Sequence, residues 1–229
     1  ASLVGSEMCI RDRYKDKGFT PKVILNYLSL LGWNPDSEKE IFDQNELINS
    51  FQFKQVQKKS AVFDEKKLLW VSQQHLSEMS VRDLMNEIYT LNPEWGDGLE
   101  WDYLKEVVKL IKDRSKTITE ITSMSEIFFK DKLEYDIDLL NKTFNDKSIA
   151  IIKDFQSALS TIEDWSRVEI EKIFEDIMEQ HEVAIGQVMK PVRVAISGIP
   201  FGPGIFDLIL LLGKEICQIR LRHALSVIQ

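Results

Sequence analysis

The sequence predicts an all-α protein, a helical bundle of roughly ten helices in two packed clusters. Three observations predict it. Apolar residues recur at three- and four-residue spacing along most of the 229 residues; Ser, Thr, Asp and Pro stand where helices start and Gly where they stop; no stretch shows the two-residue alternation of a half-buried strand. With 44% apolar and 29% charged residues, the chain can bury one large core or two modest ones.

Residues 1–13 (ASLVGSEMCIRDR) carry no helical period and no cap, and read as a non-native or disordered tail. From Gly18 the signals sharpen. Thr20 is an N-cap and Pro21 a first helical residue, and Val23, Ile24, Tyr27, Leu28 and Leu31 share one face until Gly32. Asp43 and Glu46 make a capping-box pattern for a short helix ending near Phe51. Asp64 caps a helix carrying Leu68, Leu69, Val71 and Leu76, and Ser80 opens another with Leu84, Met85 and Ile88. Asn92, Pro93, Gly96 and Gly98 then break the pattern, which places a domain boundary at 92/93.

Beyond the break, Trp101, Leu104, Val107, Val108 and Ile111 give an amphipathic helix that closes on Lys112, Arg114 and Lys116. Thr117 and Glu120 pattern as a second capping box, followed by Ile118, Ile121, Met124, Ile127 and Phe128 at helical spacing. Ile149, Ile152, Phe155, Leu159 and Ile162 continue the period. Ser166 with Glu169 restarts it, with Trp165 and Ile170 spaced as a hydrophobic staple. The second domain is thus expected over 93–229, with two subdomains split near 163. Between Glu120 and Glu182, 16 acids face seven bases, a solvated face that repels polyanions.

The last stretch reverses that balance. Residues 190–223 hold Lys190, Arg193, Lys214, Arg220 and Arg222 against two acids, a local charge of +3 in a chain of −8. A basic apolar helix stops at Gly198, and a Pro/Gly turn follows. Pro203 is expected in the first turn of the next helix, whose Ile205, Phe206, Ile209, Leu210 and Leu212 demand burial until Gly213 ends it through a left-handed cap.

No catalytic constellation stands out. His75, His181 and His223 are scattered, Cys9 and Cys217 are isolated, and no metal-ligand spacing occurs, so catalytic, metal and cofactor-binding residues are expected to number none. Gly198, Gly202 and Gly204 follow no strand and lack the Lys-Ser/Thr of a phosphate loop; they read as a tight turn, though the amides opening the next helix are also placed to meet a phosphate or base edge. Lys112, Arg114 and Lys116 either complement a helix dipole or bind an anion. No apolar run approaches the roughly 20 residues that span a bilayer. No secretory signal is evident, so a cytoplasmic monomer is expected.

The words of the sequence also resemble a known family. Residues 190–225 (KPVRVAISGIPFGPGIFDLILLLGKEICQIRLRHAL) are similar to the C-terminal signature of bacterial-type glutamyl-tRNA synthetases. Residues 18–33 (GFTPKVILNYLSLLGW) resemble the family segment that follows the lysine-rich ATP loop; Glu40 to Phe42, Ala61 to Asp64 and Lys67 to Trp70 resemble its stem-contact helices; Leu110 to Ile118 with Phe128 and Phe129 resemble the start of its anticodon-binding region. Trp70, Val71 and Ser72 stand where the family carries tryptophan, an apolar residue and asparagine.

The resemblance implies a fold of stem-contact helices over 14–92 and an α-helical anticodon-binding domain over 93–229. It implies a parent enzyme that attaches glutamate to its tRNA using ATP and magnesium, with a nucleotide-binding catalytic domain expected in cis but missing entirely from this sequence. The chain alone is then expected to be inactive and to bind a glutamate-specific tRNA, a glutamine-specific one being left open. On this reading Lys112, Arg114, Lys116, Lys190, Arg193, Gly202, Gly204, Lys214, Arg220 and Arg222 meet the RNA, lysines on phosphates, Arg193 and the glycine turn on unstacked bases. The competing reading is a non-enzymatic helical scaffold for RNA or protein partners. It would favour internal repeats of fixed period, and none is seen.

Overall fold

The computed structural model describes residues 12–33, 35, 38–57 and 61–228. The expectation of a non-native or disordered tail over 1–13 falls almost wholly outside them; residues 12–16 are helical. Among the described residues there is no strand, only an isolated antiparallel bridge between Trp33 and Val56. Contacts divide the chain into two compact units, 1–125 and 126–229.

The first unit holds α1 (Pro21–Gly32), α2 (Gln44–Ser50), α3 (Glu65–Glu78), α4 (Val81–Leu91), α5 (Trp101–Ile111) and α6 (Ile118–Ser125). The expected caps do form. Thr20, Asp43, Asp64 and Ser80 each accept from backbone amides of the first turn they precede, and Asp43 with Glu46 closes a full capping box. Phe19, Val23 and Tyr27 pack on Leu68 and Val71, so α1 lies on α3. The Tyr27 hydroxyl ties the two further, donating to the Asp64 carbonyl at 3.0 Å and accepting from the Asp64 amide at 2.7 Å. Gly18 is required where it is: its φ is +80°, and a Cβ would lie 2.5 Å from the Thr119 amide nitrogen.

The division by contacts does not fall at the turn over 92–98. Trp95 is buried and donates to Ser125 Oγ at 2.7 Å, while Tyr89 meets Trp95 edge-on and stacks on Trp101 at 5.9 Å. Pro and Gly there mark a chain reversal that joins α4 to α5, and the division falls at 125/126.

The second unit holds α7 (Ile137–Thr143), α8 (Asp146–Thr161), α9 (Arg167–His181), α10 (Ile185–Ser197) and α11 (Ile205–Ile228). Helices α9, α10 and α11 all pack on α8. Phe155 and Phe174, both fully buried, meet at 4.9 Å across the point where a split near 163 was expected, so that turn is internal to one core. Gly213 interrupts α11 with φ 77° and ψ 165°. The first segment ends there as expected, though with an extended ψ rather than a left-handed helical one. The carbonyls left open nearby find other donors, Leu210 from Trp165 Nε1 at 3.3 Å and Ile209 from the Cys217 thiol at 3.8 Å.

Candidate nucleic-acid interface

The Pro/Gly turn is built from both sides. Helix α10 ends on Gly198 (φ 72°, ψ 2°), whose amide donates to Val194 O at 2.9 Å. The Ser197 hydroxyl donates to Arg193 O at 2.8 Å, and Arg193 Nη1 donates to Pro203 O at 2.7 Å, which folds the turn back on the helix. Pro203 lies two residues before α11 and not in its first turn, because Gly204 caps the helix by accepting from the Leu208 amide. Its fixed φ shapes the turn instead. Phe201 projects from this turn 83% exposed, a residue that sequence patterning passed over because a single aromatic between prolines carries no period.

The helix start that could have met a phosphate already has an anion. Asp207 stands in the first turn of α11, and a Cβ on Gly204 would lie 2.5 Å from its Oδ2. Arg167 Nη1 holds the same carboxylate at 3.0 Å and lies over the Phe206 ring. Gly202 and Gly204 shape the turn, beside a helix start already taken up by the Asp207 carboxylate and its Arg167 partner.

The basic residues separate by what they hold. Lys112 Nζ donates to Ser77 O and Met79 O at 2.9 and 3.1 Å, closing the C-terminal end of α3. Lys214 Nζ donates to Ile162 O at 2.7 Å, closing α8. Arg220 is completely buried, its guanidinium donating to the carbonyls of Ile127, Lys130, Asp131 and Ile196. Each satisfies carbonyl groups that a helix end or turn leaves open, and each adds a cation at the negative end of a dipole. With Arg193, four of the eight basic candidates are thus engaged in holding backbone.

The other four, Arg114 and Lys116 in the first unit and Lys190 and Arg222 in the second, are exposed and form no ion pair among the described residues. Lys190 and Arg193, three apart on α10, differ in fate: the first faces solvent and the second is half-buried under the turn.

Among the described residues the titratable groups that stand out are held by burial or by neighbours. Burial pushes the Cys217 thiol up to about 12, which makes it inert, and burial likewise raises Tyr135 to about 12 against the opposing charge of Arg220. Burial lowers His75, whose Nε2 lies 2.8 Å from Asn26 Oδ1. His181 meets Asp154, and His223 meets the Leu133 carbonyl. Among the described residues no group of three His, Cys, Asp or Glu is placed to hold a metal ion. The described residues do not fit a magnesium–nucleotide site. No helix of the described residues is long and apolar enough to cross a membrane.

Residues 72–225 match the family model of the anticodon binding domain, and residues 5–70 match that of the class I (E and Q) tRNA synthetase catalytic domain. The second match corrects the expectation that no part of a catalytic domain is present, and it begins inside the stretch read as a tail. The chain is 32% identical over 97% of its length to a glutamate–tRNA ligase of Flavobacterium johnsoniae and 35% identical over 94% to one of Desulforudis audaxviator, covering 44% and 45% of them. It spans under half the length of these curated relatives. A crystal structure of a glutamate tRNA ligase from Elizabethkingia meningosepticum superimposes with a TM-score of 0.83 at 25% identity, over 94% of this chain and 43% of that one. The chain belongs to the anticodon binding domain family, and its relatives are glutamate–tRNA ligases.

Proposed function

We propose that this chain is the tRNA-holding portion of a glutamate–tRNA ligase. The parent enzyme attaches glutamate to tRNA, and ATP with magnesium is used by a catalytic portion in cis that lies outside these residues. The observation that carries the reading is the match of residues 72–225 to the anticodon binding domain. The mechanism here is binding. Exposed Arg114, Lys116, Lys190 and Arg222 supply charge to phosphates, while the acid-rich surface between residues 120 and 182 turns the polyanion away from the wrong side. Lys112, Arg193, Lys214 and Arg220 hold the helix ends and the 198–204 turn in place, so their contribution to RNA binding is shape.

The partner is a glutamate-accepting tRNA, and the setting is the cytoplasm with the protein as a monomer. The test is fluorescence anisotropy of a labelled glutamate tRNA transcript titrated with the full chain, alongside a transcript with a changed anticodon. Tighter binding of the first is expected, and equal or absent binding of both would remove the reading. ATP–pyrophosphate exchange is expected to be undetectable with the chain alone.

A further inference from the structure

The solvent face of the second segment of α11 carries a shallow hollow of about 340 Å³ lined by Lys132, Ile219, Arg222, His223 and Ser226. The four helix residues are spaced i, i+3, i+4, i+7 and so share one face, while Cys217, Arg220, Leu221 and Ala224 on the other face are buried. Lys132 arrives from the segment before α7. Both Lys132 and Arg222 are exposed, and neither forms an ion pair among the described residues. The acids that flank Lys132 in sequence, Asp131 and Glu134, do not line the hollow.

The approach of Lys132 to Arg222 is built into the backbone. Arg220 grips the carbonyls of Lys130 and Asp131 just before Lys132, and His223 Nε2 donates to the Leu133 carbonyl at 3.1 Å just after it. A carbonyl only accepts, so the His223 proton sits on Nε2. The His223 ring also packs on Tyr135 at 5.5 Å. Two residues of one helix thus staple the chain on either side of Lys132, which fixes where two like charges meet the solvent. Two cations lining one hollow repel each other, and an anion between them relieves that repulsion.

We propose that this hollow holds a backbone phosphate of the bound RNA, with the Lys132 ammonium and the Arg222 guanidinium as its two donors. The inference rests on the tRNA-binding reading and adds a contact to it. RNA is favoured over an acidic peptide because the hollow is open and shallow, which suits a strand passing across it. Arg220 and His223 act as positioning residues, since they touch the backbone around Lys132 and not the ligand. The contact carries no base preference.

The experiment measures the salt dependence of binding of a fluorescein-labelled glutamate tRNA transcript to the full chain, for the wild type, Lys132→Ala, Arg222→Ala and Lys172→Ala. Lys172 is exposed on α9 and serves as the control. Both hollow variants should weaken binding several-fold at low salt and reduce the slope of log K against log salt by about 0.7 to 0.9 each, equally for a transcript with a changed anticodon. The control should bind as the wild type does. Unchanged slopes and affinities for both variants, with wild-type binding intact, would overturn the hollow and leave the tRNA reading standing. Absence of wild-type binding would remove both. Displacement of the RNA by poly-glutamate from the wild type but not from the variants would assign the hollow to an acidic protein instead.

Discussion

Arg193 Nη1 and the Pro203 carbonyl oxygen lie 2.7 Å apart, and that bond fastens the Pro/Gly turn to the helix preceding it. A guanidinium aimed at a carbonyl is a strut before it is a reader of bases. Arg193→Ala should therefore speed hydrogen exchange of the 199–204 amides and weaken glutamate tRNA binding through loss of the turn's shape. Arg193→Lys should restore little, because a single ammonium cannot copy the fork of the guanidinium. Exchange measured by mass spectrometry on the three proteins checks this. Unchanged protection in Arg193→Ala would free the side chain for direct contact.

Lys214 belongs to the same class. Its bond to the Ile162 carbonyl closes the C-terminal end of α8, so Lys214→Met should destabilise the protein by about 1 to 2 kcal/mol. The salt slope of RNA binding should stay at the wild-type value. Urea unfolding and the slope measured on the same variant separate the two effects.

His75 gives the fold a defined response to acid. Burial holds its folded pKa below the ordinary value near 6.5, so the unfolded chain binds the proton more readily. Stability from this residue is complete above about pH 6.5 and falls as pH drops from there toward the folded pKa. Thermal midpoints recorded from pH 7.5 to 5 should fall less in His75→Gln than in the wild type. Parallel curves would show that the ring is open to protons in the fold.

Ser72 is buried in α3 and its hydroxyl finds no hydrogen-bond partner among the described residues. An unmet buried hydroxyl costs about 1 kcal/mol or more, and Ser72→Ala should raise the thermal midpoint by about 2 to 4 °C. Differential scanning calorimetry decides it.

Helix starts were legible because their chemistry is local: Thr20, Asp43, Asp64, Ser80 and Ser166 each cap the turn that follows within three residues. Helix α7 was missed although Asp136 caps it, since seven residues give too few repeats of an apolar face. The expected boundary at 92/93 differs from the contact division at 125/126 for another reason. A turn signal reports that the chain bends, and only the distant pairing of Trp95 with Ser125 says which side of a domain the bend belongs to. The basic candidates were the hardest. Lys112 and Lys116 look alike in sequence, yet one caps α3 and the other faces solvent, because an ammonium serves a carbonyl and a phosphate with the same donors.

Gly213 sets the angular phase of everything after it. A side chain there would press the backbone toward ordinary helical angles, and an unbroken helix would rotate residues 214–228 about their own axis relative to 205–212. Arg220 would then swing off its four carbonyls at the same moment as Lys214 left Ile162 and Arg222 left the hollow. One hydrogen atom in place of a methyl group thereby keeps three cations in register, two turned inward as rivets and one turned outward.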